Sequence, residues 1–154
     1  MEVSDELWNR IIGINLTGTF VASREFARYF IRQGSGVIVN LASIAAFFGS
    51  NPEFHVAYDA AKAGVVQLTR SLAVEWAKHN IRVNAVAPGR TRTPILDGVG
   101  MNNPQRVDQW LAQVPQGRFF EAREMAAVAF FLGSTDSSAI TGQTILADGG
   151  HMIY

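Results

Sequence analysis

The sequence predicts an α/β fold built on a parallel sheet, and three observations carry that prediction. Apolar, β-branched runs recur at "VIVNLAS" (37–43), "IRVNAVAPG" (81–89) and "QTILADGG" (143–150). Stretches with helical spacing of apolar residues stand between them. The run at 37–43 is nearly continuously apolar, as suits a strand buried on both faces of a sheet. Strands alternating with helices imply right-handed crossovers and a sheet covered on both sides.

The first helix is expected over 5–33. Ser4 can cap it, with Asp5 and Glu6 in its positive first turn. Leu7, Ile11, Ile14, Phe20, Phe26 and Phe30 recur at helical intervals. Gly34 and Gly36 stop it. The strand 37–43 follows, and then a loop punctuated by Gly49 and Pro52. A second long helix should run over 56–79, because no breaker is obvious after Gly64. Pro88 and Gly89 end the next strand. The stretch 90–103 reads as an irregular loop of the kind that forms lids or binding segments. Shorter helices are expected near 104–113 and 121–133, ahead of the last strand and its glycine turn. The strand at 37–43 would present an open apolar edge, which proteins usually cover.

Composition narrows the functional classes. The 154 residues are 48% hydrophobic and 17% charged, which suits one globular domain. Thirteen Lys and Arg balance thirteen Asp and Glu, so no basic field would attract nucleic acid or an anionic membrane. There are no cysteines, so disulfides and thiolate metal sites are excluded. No apolar run reaches the roughly 18 residues of a membrane span, and "MEVSDELWNR" lacks the apolar core of a signal peptide. A cytoplasmic protein is expected. His55, His79 and His151 lack ligand spacing and read as non-ligands, so no metal site is expected.

"YDAAK" (58–62) carries the chemistry. Residues four apart share a helix face, so Tyr58 and Lys62 should point together at the helix start, beyond a strand's carboxyl end. Open α/β sheets bind ligands at that rim. A free phenol ionises near pH ~10. An ammonium within about 4–6 Å favours the phenolate, lowering its pKa by about 1–3, which would poise Tyr58 as a general acid or base. On spacing alone the plainer reading, an exposed amphipathic pair, is the stronger one, and the neighbouring residues change that. Ser43, at the end of "VIVNLA", adds a hydroxyl at the same rim. Asn15 lies in the first helix, and "NAVAPGRTRTP" offers Pro88, Gly89, Thr91 and Thr93.

With these segments in view, "INLTGTF", "GVIVNLASIAA", "YDAAKAGVVQLTRSLAVEWAKHNIRVNAVAPGRTRTP" and "AITGQTILADGG" resemble successive motifs of the single-domain short-chain dehydrogenase/reductases. The resemblance covers essentially the whole chain. It implies part of a doubly wound, Rossmann-like sheet, the last three strands with their flanking helices. It further implies hydride transfer between NAD or NADP, the choice not being readable, and a carbonyl or secondary alcohol. Tyr58 would be the acid/base, and Ser43 would hold the substrate oxygen. Lys62 would lower the Tyr58 pKa and bind the nicotinamide ribose, and Asn15 would kink its helix and seat a water. Pro88, Gly89, Thr91 and Thr93 would contact the nicotinamide and phosphate. The helices 5–33 and 56–79 would form a homodimer or homotetramer interface. Asp148, Gly149 and Gly150 match the C-terminal signature, read as a turn or interface element.

Each assignment has a plainer rival. Ser43 can cap a turn, Asn15 can be a helix-surface amide, and Thr91 and Thr93 can be loop hydroxyls without a ligand. Trp8 and Trp76 suit core or interface. The sequence also departs from the family. Its gap from Ser43 to Tyr58 is about two residues longer than usual. No glycine-rich turn of the pyrophosphate-binding kind occurs in it. Residues 1–154 are therefore expected to be the C-terminal portion of such a domain, weak or inactive alone. The alternative is a non-catalytic remnant serving as an oligomerisation partner.

Overall fold

The structure, a computed structural model, describes residues 3–50 and 55–153. Part of the expected loop before the second long helix, 51–54, lies outside the described residues.

The central sheet has three parallel strands in the order β1 (Gly36–Leu41), β2 (Ile81–Pro88), β5 (Thr144–Ala147). β1 pairs with β2 from Gly36↔Ile81 to Leu41↔Val86, and β2 with β5 from Ala85↔Thr144 to Pro88↔Ala147. All three carboxyl ends therefore reach one rim. β1 lies at one end of the sheet, as its open-edge reading expects.

Side-chain alternation along β2 assigns its two faces. Ile81, Val83, Ala85 and Ala87 join the buried clusters built with Ala27, Val65, Val66, Leu72, Ala73 and Trp76. Those partners come from α2 (Gly18–Gln33) and α3 (Val56–Trp76), which cover that face. Arg82 and Asn84 point the other way. Arg82 donates to the carbonyls of Leu132, Ser134 and Ile140, and Asn84 to that of Ile140. They tie the opposite face to α6 (Ala122–Gly133) and the segment after it. On that side a half-buried arginine held by three carbonyls anchors the strand.

The long N-terminal helix is continuous but not uniform. α1 (Asp5–Ile12) begins at the Ser4 cap, whose Oγ accepts from the Leu7 N–H. It passes through a π-helical turn at Gly13–Thr17 before α2. Gly34, at φ 85°, closes α2 in the left-handed region. Gly36 does not serve as a stop; it opens β1, packed so tightly against Phe30 that a Cβ would lie 2.2 Å from the ring. α3 ends at Trp76 and tightens into a 3₁₀ turn over Ala77–His79, with Asn80 left-handed at its end.

The largest correction concerns 90–103. It folds into a short strand β3 (Thr91–Arg92), a helical turn α4 (Pro94–Leu96) and a π turn at Asp97–Met101, which leads to α5 (Pro104–Ala112). β3 pairs in parallel with β4 (Phe120–Glu121), just before α6. Thr93 and Asn103 cap the two helical pieces through their side chains.

Candidate active site

Ser43 stands two residues past β1, and its Oγ accepts from the Ala45 N–H at 3.2 Å while capping a 3₁₀ turn at Ile44–Ala46. Its capping reading therefore holds. The same hydroxyl lies near enough to the Tyr58 phenol to favour a lower pKa there. Tyr58 and Lys62 share the first turns of α3, as their spacing predicts. Lys62 Nζ lies 5.5 Å from the centre of the Tyr58 ring. Lys62 is 7% exposed, and its ammonium donates to the Leu41 carbonyl, the last residue of β1, at 2.8 Å. Ser43, Tyr58 and Lys62 thus converge at the carboxyl ends of the strands.

The electrostatics differ from the sequence expectation. The Tyr58 pKa is raised, not lowered. Burial of the phenol is the main cause, opposed by the nearby Ser43 hydroxyl and assisted by the neighbouring Asp59 carboxylate. Burial likewise lowers the Lys62 pKa. Sequence spacing gave the ammonium's distance but not the loss of solvent, and the loss of solvent dominates.

Asn15 sits inside the π-helical turn, where its Nδ2 donates to the Ile11 carbonyl at 3.1 Å and its own carbonyl accepts from Thr19 Oγ1 at 2.7 Å. The structure therefore carries an irregular turn at Asn15, the feature its kinking role requires. At the end of β2, Pro88 and the following Gly89 reach the rim. A Cβ on Gly89 would stand 2.8 Å from Asp148 Cα, so the close backbone approach here is to the C-terminal turn. Thr91 Oγ1 donates to the Gly89 carbonyl at 3.0 Å, while Thr93 Oγ1 accepts from Leu96 N–H at 3.4 Å. Both hydroxyls have local partners, in keeping with their plainer reading. Asp148 is a turn former: its carboxylate accepts from the N–H groups of Gly150 and Met152.

Several supporting residues were not singled out from the sequence. Asn40 of β1 donates to Thr69 Oγ1 at 3.0 Å and accepts from Ser23 Oγ at 3.3 Å, joining β1 to both long helices. An amide in the middle of "VIVNL" was the available signal, because a polar side chain in a buried strand demands partners. Asp59 accepts from the backbone N–H and hydroxyl of Ser50, pinning the loop after Ser43 to the start of α3.

A parallel α/β domain with a serine, a tyrosine and a buried lysine at its strand ends is the class of protein that fold and site define. Comparison with known proteins narrows it. The family described as enoyl-(acyl carrier protein) reductase matches residues 1–152. Galactitol 2-dehydrogenase (L-tagatose-forming) of Cereibacter sphaeroides is 40% identical over 154 residues, covering 100% of this chain and 60% of that protein. The 3-oxoacyl-[acyl-carrier-protein] reductase FabG of Thermotoga maritima is 39% identical, covering 99% of this chain and 60% of that one. A gluconate 5-dehydrogenase from Burkholderia cenocepacia, solved with NADP and tartrate, superposes with a TM-score of 0.93 at 29% identity, covering 99% of this chain and 59% of that one. The chain belongs to the short-chain dehydrogenase/reductase family. It spans about three-fifths of the length of these relatives.

Proposed function

We propose that this chain carries the catalytic residues of an NAD(P)-dependent oxidoreductase that interconverts a carbonyl and a secondary alcohol. The observation that carries the reading is the convergence of Ser43, Tyr58 and buried Lys62 at one strand rim. When bound, the nicotinamide cofactor supplies or accepts the hydride.

The protein's own groups have separable tasks. Tyr58 holds its proton at neutral pH, since its pKa lies above the ordinary phenol value; it donates that proton from Oη to the carbonyl oxygen during reduction. In oxidation it must first lose the proton and then accept the one from the alcohol hydroxyl. The Ser43 hydroxyl, beside the phenol, orients the same substrate oxygen. Lys62 fits the ribose of such a cofactor by its donor set: an ammonium has three donors, and one is spent on Leu41. The remaining two suit a vicinal diol. Pro88, Gly89, Thr91 and Thr93 would line the nicotinamide and phosphate side.

The substrate is proposed as a small carbonyl or alcohol; two of the relatives are named for polyol and sugar-acid oxidation and one for a thioester-linked ketone. A homodimer or homotetramer through 5–33 and 56–79 belongs to the same proposal. Leu7, Trp8, Ile14, Phe20, Phe26 and Tyr29 are exposed along the first of these helices and would gain cover there. Among the described residues no helix is long and apolar enough to cross a membrane.

Consumption of NADH or NADPH with a panel of ketoses, keto acids and 3-oxoacyl thioesters tests the reading. Ser43→Ala and Lys62→Met should each lower turnover of the accepted substrate by about a hundredfold or more, and Lys62→Met should also raise the KM for cofactor. Ser43→Ala retaining wild-type turnover would remove the hydroxyl from the reaction.

A further inference from the structure

The C-terminal turn touches three parts of the rim at once. Asp148 is buried, and its carboxylate fixes the turn by accepting from Gly150 N–H at 3.0 Å and Met152 N–H at 2.9 Å. The turn lies against Gly89, where β2 ends. It also lies against the segment just past α5: Gln116 N–H donates to the Gly149 carbonyl at 3.3 Å, and a Cβ on Gly150 would meet Pro115 at 3.2 Å. From this turn His151 reaches across to Phe48, with ring centres 5.4 Å apart and planes inclined by 33°. Phe48 stands two residues past the turn that Ser43 caps. His151 Nδ1 is buried without a hydrogen-bond partner, so what holds the imidazole on Phe48 is its ring and not that nitrogen.

We propose that His151 is a positioning residue: through its ring contact with Phe48 it holds the loop that begins at Ser43 against the C-terminal turn, which itself packs on Gly89 at the end of β2. The inference rests on the function proposed above, because it gives Ser43 and Gly89 a shared ligand to face. The ring contact adds to the Ser50–Asp59 hydrogen bonds that tie the same loop to α3, and a catalytic group displaced by about 1 Å can cost about a hundredfold in rate.

Hydrogen exchange on the 154-residue chain tests the contact without any need for turnover. Ala45 N–H bonds to Ser43 Oγ, Ala46 N–H to the Ser43 carbonyl and Phe47 N–H to that of Ile44. In His151→Ala these three amides should exchange about tenfold faster or more, while the β2 amides of Val83–Val86 keep their protection. His151→Phe, which keeps a ring, should restore slow exchange. The reciprocal Phe48→Ala should loosen the same amides, and serves if His151→Ala fails to fold. In the active protein, His151→Ala should lower kcat/KM about tenfold or more, and His151→Phe should recover most of it. Unchanged exchange in both alanine variants, or a His151→Phe protein as loose as His151→Ala, overturns the proposal. Full turnover in Tyr58→Phe would instead overturn the function it rests on, and would leave the exchange result unaffected.

Discussion

Thr69→Val removes one oxygen from the centre of the structure and should cost more than any surface substitution. Thr69 is fully buried on α3, two turns beyond Lys62 and on the same face. Its hydroxyl donates to the Val65 carbonyl at 2.8 Å and accepts from Asn40 Nδ2 at 3.0 Å. Valine has nearly the same shape and an equal helix propensity, so packing and backbone terms change little. The Val65 carbonyl keeps its helical partner. Asn40 Nδ2, on a residue only 6% exposed, loses the acceptor the structure gives it. Leaving a buried amide donor unsatisfied costs about 1–3 kcal/mol. For a chain of this size each kcal/mol moves the melting temperature by about 2–4 °C, so a fall of about 2–12 °C is expected. Urea unfolding followed by circular dichroism reads the same change as a lower midpoint at constant slope. A loss below about 0.5 kcal/mol would refute the reasoning, because it would mean that Asn40 does not depend on Thr69 and that β1 is not fastened to α3 through this amide.

Two titrations probe the electrostatics. Because the Tyr58 pKa is raised, its phenolate signal, taken as the ultraviolet difference between wild type and Tyr58→Phe in the ligand-free chain, should appear only above the ordinary phenol value of 10.0. Any stability that the proton on Tyr58 confers is likewise full below that pH and lost as pH rises through the folded pKa; a phenolate difference signal at neutral pH would contradict the burial of this ring. Glu124 behaves oppositely. It accepts from Arg118 and from the Glu121 N–H in a capping box at the start of α6, and its pKa is lowered to about 2. Its contribution is therefore present above the ordinary carboxylate range and lost as pH falls toward 2, so Glu124→Gln should melt below wild type at pH 7 and converge with it near pH 2. A gap that persists in acid would assign the effect to something other than this carboxylate's charge.

Much of the fold could be read from the sequence because its signals are local. The Ser4 cap, the apolar spacing of α1 and α2, and the run "IRVNAVAP" each determine their element within one window. The shared face of Tyr58 and Lys62 followed from helical geometry. What escaped depends on partners distant in the chain. β3 and β4 have two residues each, too few for any periodicity, and they pair across 29 positions. The π turn at 13–17 has no signature of its own beyond Asn15, which pointed to it only through family resemblance. The direction of the Tyr58 pKa was missed for the same reason: the ammonium is close in sequence, whereas the burial that outweighs it comes from the assembled rim. The contact between Phe48 and His151 spans most of the chain, and neither residue marks itself locally.

The central claim is that Tyr58 is the proton-transferring group of an active site it shares with Ser43 and Lys62. The most direct measurement is turnover of NADH or NADPH with an accepted carbonyl substrate by Tyr58→Phe, beside an unfolding curve for the same protein. The account predicts a fall in kcat of about a hundredfold to ten-thousandfold, with the folded state preserved. Wild-type turnover in that variant would contradict it.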